Sequence, residues 1–266
     1  MGIQDTFTFK VTEKDLDKYR HMNNAVYSKH YRDAEKLLLM NRLSQSSPLF
    51  MPHSTSYNYA AQLRLGDEII IITKYTQKDN LAIFKQKMYS QSHSKQVGFA
   101  VKKKKNRTNE DLSFDSHLFN IFVPKVLEKG RKGIQGVHKL TIDRLIDKKL
   151  ALVVTSSDIE YLNLNRLIES LKGRELTLES QLEYTGRMEL LMRQTIYPQN
   201  GHKGDPILTA KSKHMLLDTE HGSVCRHPLE KLKKEGILTE TEIPSTKYEL
   251  DWKEGIEEIL KQSKEI

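Results

Sequence analysis

Residues 15–31 read DLDKYRHMNNAVYSKHY, and this stretch decides the fold. It opens with an acidic pair, continues with a histidine and an asparagine pair, and ends in a helical pattern. Apolar residues then recur at steps of four, three and four, which is the spacing of one buried helix face. That face consists of Tyr27, Tyr31, Ala34 and Leu38. The stretch therefore predicts a long buried helix with polar groups gathered at its start.

The helix start is suited to chemistry on a negatively charged group. Asn23 or Asn24 is a good N-cap, because a short amide side chain accepts a hydrogen bond from a free backbone N–H. The remaining free N–H groups and the helix dipole stabilise negative charge on a ligand. Asp15 and Asp17 precede this point, and a carboxylate there is a candidate general base or nucleophile.

The composition is that of a globular protein with a sizeable core. The 266 residues are 37% hydrophobic and 29% charged, and the mean hydropathy is −0.61. No apolar run reaches the ~20 residues of a membrane-spanning helix, and MGIQDTFTFK lacks the basic-then-apolar layout of a secretory signal. The single cysteine, Cys225, excludes an internal disulfide and fits a reducing compartment. We therefore expect a cytoplasmic protein without a membrane span.

The net charge of +8 indicates an anionic partner without identifying it. The most concentrated basic run is Lys102 to Lys105. It is compatible with a solvated strand end, a phosphate-bearing cofactor tail, an acidic carrier protein or a nucleic acid. Nucleic acid ranks last, because no aromatic residues interleave with the lysines and no nucleic-acid motif is present. Lys102 and Lys103 are candidate substrate contacts.

The first half of the chain predicts a strand, a long helix and then several antiparallel strands. Residues 7–12 alternate and indicate the first strand, and residues 24–43 follow as the helix. Residues 44–56, with two prolines and many serines, are expected to form a loop. The segments from residue 57 to residue 105 are typical of strands.

Three segments of the first half recur in the second half in the same order. VTEKDLD at residues 11–17 resembles VTSSDIE at 154–160, and GDEIIIIT at 66–73 resembles GRELTLES at 173–180. FKQKMYSQ at 84–91 resembles MRQTIYPQ at 192–199, with a glutamine between apolar residues in each. The repeats predict a duplicated fold. The shrinking offset between them indicates a shortened second copy, in which NLNRLIESLKG replaces the long helix.

These patterns predict an α+β chain of two tandem modules. The first module spans residues 1–105 and carries the DLD-HMNN motif. Residues 106–136 are interpreted as a linker with one short helix, and residues 137–220 as a degenerate second module. Residues 221–266 are interpreted as a helical tail.

The stretch DLDKYRHMNNAVY resembles the motif of the hotdog-fold acyl thioesterases, D-x-D, three residues, then H-x-N-N-x-x-Y. The resemblance includes the 4-hydroxybenzoyl-CoA thioesterase-like and acyl-ACP thioesterase-like families. It implies a long helix wrapped by an antiparallel sheet, and two such modules in one chain are similar to the double-hotdog acyl-ACP thioesterases of plants and bacteria. It also implies a pseudo-dimer within the chain, which leaves further homodimerisation open.

The resemblance implies that acyl-CoA or acyl-ACP is hydrolysed without a metal or cofactor. Asp17 would be the general base or nucleophile, with His21 and Asn24 orienting the base, the water or the helix start. Asp15 would be structural, as a turn or cap acceptor. The implied substrate contacts are Asn23, Arg20, Tyr27, Lys102 and Lys103.

The sequence departs from the family at two positions. Arg20 stands where the family usually has glycine, and Tyr19 stands where the plant enzymes have asparagine. The active motif also lies in the first copy, whereas the plant enzymes carry it in the second. These departures keep a second hypothesis open, a non-catalytic acyl-thioester-binding protein. A hydratase or dehydratase on the same fold is a weaker alternative, because its motif is not found.

Overall fold

The computed structural model divides the chain into two compact units, Met1–Pro124 and Lys125–Ile266. The structure describes residues 2–16, 20–22, 24–42, 50–92, 94–106, 123–124, 126–128, 142–173, 176–184, 187–198, 205–238 and 245–249. Within these ranges, no helix is both long enough and apolar enough to cross a bilayer.

The described residues of the first unit include one long helix and five antiparallel strands. Its elements are β1 (Ile3–Lys10), a 3-10 turn (Glu13–Asp15), α1 (Asn24–Arg42), β2 (Phe50–Tyr59), β3 (Glu68–Lys78), β4 (Leu81–Ser90) and β5 (Lys95–Asn106). The strands are ordered β1-β3-β4-β5-β2. This is the order of elements expected from the sequence, with the helix following the first strand.

Helix α1 packs on the sheet through the face predicted from its periodicity. Tyr27, Tyr31, Ala34 and Leu38 are all buried, as the steps of three and four residues require. Gln86 of β4 joins the helix to the sheet, since its Nε2 donates to the Tyr31 carbonyl at 2.6 Å and to Thr73 Oγ1 at 3.1 Å. A buried amide with two such partners fixes the position of the helix over the strands.

The expected loop at residues 44–56 is wrong over its second half. Strand β2 begins at Phe50 and includes Pro52, although proline cannot donate to a ladder. The register with β5 shifts between Pro52 and Ser54, so the proline sits at an irregularity in the pairing. Buried Thr55 and Tyr57 then alternate with half-buried residues, which is a strand pattern that the prolines and serines obscured.

The strands of the second unit also pair antiparallel to one another. Its elements are helical residues 126–128, α2 (Ile142–Asp147), β6 (Leu150–Tyr161), α3 (Leu164–Gly173), β7 (Leu176–Tyr184), β8 (Glu189–Pro198), β9 (Leu208–Asp218), β10 (Ser223–Val224), α4 (Pro228–Lys234) and β11 (Ser245–Glu249). The order is β6-β9-β8-β7-β11, with β10 paired to β9.

The two units match strand for strand, which confirms the duplication. Gln194 of β8 repeats the bonds of Gln86, because its Nε2 donates to the Leu127 carbonyl at 2.9 Å and to Ser180 Oγ at 3.1 Å. Leu127 therefore takes the place of Tyr31 in the second unit. Helical residues 126–128, which include Leu127, lie in the segment 106–136 that the sequence analysis interprets as a linker. Helix α3 lies between β6 and β7 and is an insertion.

One of the three sequence matches is consequently wrong. VTSSDIE lies within β6, which corresponds to β2, whereas VTEKDLD runs from the end of β1 into the 3-10 turn. The two later matches pair β3 with β7 and β4 with β8, in agreement with the topology. The predicted shortening of the second copy depended on the match of VTEKDLD with VTSSDIE. In the structure, the second unit has a counterpart for each strand of the first.

The C-terminal segment differs from the expected helical tail. Helix α4 lies within it, but Ser245–Glu249 form β11 and pair antiparallel with β7. Strand β11 thereby occupies the sheet position that β1 holds in the first unit, beside β3. The second predicted tail helix, in residues 251–266, falls outside the described residues.

Candidate functional site

Two described residues that flank residues 17–21, the motif loop, pair with each other. Leu16 and Met22 form an antiparallel bridge, and the Met22 N–H donates to the Leu63 carbonyl at 2.9 Å. Residues 17–21 therefore lie between two paired positions, directly before a helix that begins at Asn24. Asp17 and Asn23 fall outside the described residues, so their geometry stays a prediction.

Asp15 holds the turn at the base of this loop. Its Oδ2 accepts hydrogen bonds from the Thr12 N–H at 2.8 Å and from Thr12 Oγ1 at 2.7 Å. Burial raises the pKa of the Asp15 carboxyl, but these bonds and nearby His30 and Lys29 outweigh it and leave the pKa below its ordinary value. The expected role of Asp15 as a structural acceptor agrees with this geometry.

Arg20, at the position where the family resemblance implies glycine, has a left-handed backbone conformation. Its φ is 61°, in the left-handed region that costs a non-glycine residue roughly 1–2 kcal/mol. Its side chain is exposed and pairs with exposed Glu13, with 3.2 Å between Nη2 and Oε1. The Arg20 side chain therefore lies where solvent reaches it.

We expect Arg20→Gly to fold more stably than Arg20→Ala by about 1 kcal/mol, because both lose the exposed ion pair and only glycine tolerates the positive φ. Urea unfolding of the two variants measures the difference. Equal stabilities would show that the backbone at Arg20 is not left-handed in solution.

His21 lies three residues before the start of α1, and Asn24 is its first residue. Both are half-buried. The Asn24 carbonyl lies 3.5 Å from Ser28 Oγ. Tyr27, expected as a substrate contact, is buried; its hydroxyl donates to the Ala61 carbonyl at 3.0 Å, and its ring meets Tyr59 edge-on. The Tyr27 hydroxyl thus ties α1 to the segment after β2.

The lysine run at the end of β5 divides into two faces. Lys103 is exposed, whereas Lys102 is 0% exposed and its Nζ lies 3.3 Å from Glu35 Oε2 on α1. Lys104 is also buried and pairs with the other oxygen of Glu35. The expectation that Lys102 contacts substrate at the surface is therefore wrong, because strand alternation turns every second lysine inward.

Glu35 is ionised within this cluster of three charges. Burial raises the pKa of its carboxyl, but the two ammonium groups outweigh burial and lower it below the ordinary value. One carboxylate faces two lysines, so the cluster carries an excess positive charge if all three groups are ionised. Burial lowers the pKa of Lys102, and Glu35 offsets only part of this effect.

Sequence reasoning missed His30, which packs against Asp15. His30 is 8% exposed, and its imidazole stacks on Phe9, with 3.6 Å between ring centroids and 9° between ring planes. Its Nε2 lies 3.6 Å from Asp15 Oδ1, which is beyond hydrogen-bond range. Burial lowers the pKa of His30 to about 4, although Asp15 acts to raise it. The sequence signal for this contact was weak: a histidine on the side of the predicted helix that faces the first strand.

The low pKa of His30 makes stability depend on pH. The unfolded imidazole titrates near 6.5 and the folded one near 4, so the unfolded state binds more protons between these values. We expect the contribution of neutral His30 to the free energy of unfolding to be complete above pH 6.5. It should decline by about 3 kcal/mol as the pH falls to 4. Urea unfolding of the wild type and His30→Phe at several pH values checks it; parallel pH curves would contradict it.

Comparisons with known proteins agree with the motif and the fold. Residues 4–109 match the family model of the acyl-ACP thioesterase C-terminal domain. A comparison with curated protein sequences finds no match. Among solved structures, the chain is similar to a 12:0-ACP thioesterase from Umbellularia californica, with a TM-score of 0.57 and 10% identity, over 80% of this chain and 94% of that one.

Two bacterial structures give the same result. An acyl-ACP thioesterase from Bacteroides thetaiotaomicron matches with a TM-score of 0.52 and 8% identity, over 79% of this chain and 97% of that one. A putative oleoyl thioesterase from Lactobacillus plantarum matches with a TM-score of 0.55 and 8% identity, over 80% and 96%. At these identities the structures establish the fold. The chain therefore has the tandem hotdog fold of these structures, and the segment that matches the family model lies in its first unit.

Proposed function

We propose that this protein hydrolyses acyl thioesters of coenzyme A or of acyl carrier protein to a free acid and a thiol. The observation that carries the proposal is the match of residues 4–109 to a thioesterase domain model, because these residues contain the loop and the helix start. The model describes a C-terminal domain and matches the first unit here, which is also the unit that holds the DLD-HMNN motif.

The proposed chemistry uses the carboxylate of Asp17. As general base it takes a proton from water, and the oxygen attacks the thioester carbonyl to form a tetrahedral intermediate. The carbon–sulfur bond then breaks, the thiolate takes up the proton, and the acid is released. As nucleophile, Asp17 would instead form a mixed anhydride that water hydrolyses. In either route the free N–H groups at the start of α1 stabilise the developing oxyanion.

The described residues support this assignment by fixing the loop on both sides of Asp17. The Leu16–Met22 bridge closes the loop, and Asp15 anchors the preceding turn through Thr12. In the proposed complex, His21 and Asn24 orient the water or the carbonyl, and Asn23 caps the helix. Arg20 and Lys103, both with exposed side chains, are the proposed contacts for a coenzyme phosphate or an acidic carrier surface.

A panel of acyl thioesters tests the proposal and separates it from non-catalytic binding. Thiol release is followed for acyl-CoA and acyl-ACP substrates of increasing chain length, and thermal stabilisation by each is measured in parallel. Turnover of at least one substrate class supports hydrolysis. Stabilisation without thiol release from any member would instead establish a binding protein on the hotdog fold.

A further inference from the structure

His30 is a buried polar side chain without a hydrogen-bond partner among the described residues. Neither Nδ1 nor Nε2 makes a hydrogen bond there, although the side chain is only 10% exposed. An imidazole placed in this way is normally bonded to a protein group or water. Leaving a buried polar group unpaired costs about 1–3 kcal/mol. The unpaired imidazole of His30 therefore suggests a functional role.

A carboxylate oxygen of Asp15 lies just beyond hydrogen-bond range of the imidazole. Asp15 uses Oδ2 for both of its bonds to Thr12, and Oδ1 faces His30 Nε2 at 3.6 Å. A movement of about half an ångström would bring these atoms into hydrogen-bond range. Hydrogen bonds at catalytic sites are often long in unliganded structures and tighten when substrate binds.

An aromatic contact holds the ring beside the turn. It stacks on Phe9 of β1, with 3.6 Å between ring centroids and 9° between ring planes, and a stacked ring can shift by a fraction of an ångström while it keeps this contact. The charged groups that act on it are Asp15 on the turn, and Lys29 and Asp33 on its own helix. Asp15 directly precedes Leu16, the residue whose bridge to Met22 closes the loop.

We propose that His30 is a positioning residue for the Glu13–Asp15 turn and the adjoining Leu16–Met22 bridge, which it holds through Asp15 when substrate is bound. His30 Nε2–H donates to Asp15 Oδ1 and fixes the turn that precedes Asp17. His30 contacts neither the substrate nor the reacting atoms in this role. The inference rests on the proposed function for its effect on turnover, and on geometry alone for its effect on the turn.

The decisive variants are His30→Phe and His30→Gln. Phenylalanine keeps the ring stack on Phe9 and removes the donor, whereas glutamine returns an N–H donor to the same helix position. We expect His30→Phe to lower kcat about 10-fold with KM nearly unchanged and with thermal stability at or above the wild type, since a buried unpaired group is removed. His30→Gln should recover part of kcat.

A double-mutant cycle with Asp15→Asn identifies the route. If His30 acts through Asp15, the double variant His30→Phe/Asp15→Asn loses no more of kcat than Asp15→Asn alone. Independent losses that multiply would overturn the proposal. So would wild-type kcat in His30→Phe, or equal losses in the phenylalanine and glutamine variants at unchanged stability.

Hydrogen exchange gives a readout that does not need turnover. The Thr12 amide is bonded within the turn that Asp15 holds, and the Met22 amide is bonded directly after residue 21. His30→Phe should exchange these amides several-fold faster than the wild type when an acyl-CoA substrate or product is bound, with the amides of β4 unchanged. Identical exchange would overturn the positioning role even in an active enzyme, whereas altered exchange without any thioesterase activity would leave it standing and reject only the proposed function.

Discussion

Replacing Asp17 with asparagine is expected to lower kcat for thioester hydrolysis by about 100- to 10,000-fold, the range over which a positioned general acid or base contributes. Asparagine has the same shape and still accepts hydrogen bonds, but it cannot take a proton from water or form a mixed anhydride. KM should change little, because the carbonyl and the thiol carrier are held by other groups. Thiol release under substrate saturation measures the effect.

Glu13→Gln is the matched control for this variant. Glu13 lies in the preceding turn, its side chain is 70% exposed, and it pairs only with exposed Arg20 in the described structure. The same loss of one negative charge near the loop should therefore leave kcat within about two-fold, as exposed ion pairs contribute little. Equal turnover of Asp17→Asn and wild type would remove Asp17 from the mechanism. A comparable loss in both variants would indicate a general charge effect.

Much of the fold was predictable because two periodic patterns carry it. The spacing of Tyr27, Tyr31, Ala34 and Leu38 fixed the buried face of α1, and alternation around Gln86 fixed the inner face of β4. The paired glutamines also identified equivalent strands in the two units, since each amide bonds a helix carbonyl and a neighbouring strand hydroxyl. A buried polar residue at one position is a more specific marker than any apolar run.

What could not be predicted depended on long-range pairing. VTSSDIE and VTEKDLD share a strand-like pattern, and no local property tells a β2 position from the end of β1. The strand Ser245–Glu249 forms because β7 offers it a partner more than 60 residues earlier in the chain, which propensity alone does not reveal. For the site, the motif predicted the position of the helix start. The approach of His30 to Asp15 depends on how α1 packs on the first strand and the turn, which the motif does not specify.

The charge cluster of Glu35 was hidden for a different reason. A run of four lysines suggests an exposed surface, yet a strand in a hotdog sheet sends alternate side chains toward the helix. Lys102 and Lys104 are therefore interior groups, and Glu35, at the start of the fourth turn of α1, is their counter-ion. Lys104 Nζ also lies 5.6 Å from the centre of the Phe84 ring, which offers it a second favourable contact.

The second large effect is expected at this cluster, where the three charges are not equivalent. Glu35→Gln removes the only carboxylate of the cluster and leaves two lysines facing each other in the interior. Breaking a buried ion pair by removing one partner costs about 3–5 kcal/mol. We expect Glu35→Gln to lose about that much unfolding free energy, measured by urea denaturation at pH 7, with the slope of the transition unchanged.

Lys102→Met is the control that tests whether charge balance, rather than packing, determines the stability of the cluster. It removes the excess positive charge, keeps the Glu35–Lys104 pair, and replaces a fully buried ammonium with an apolar side chain of similar length. Because exchanging buried charge for packed apolar volume is often neutral or stabilising, we expect its stability within about 1 kcal/mol of the wild type or above it. The double variant Glu35→Gln/Lys102→Met should be more stable than Glu35→Gln alone, since one unpaired ammonium is gone. Equal and large losses in both single variants would show that the cluster acts by packing, and the asymmetry between carboxylate and lysine would then be rejected.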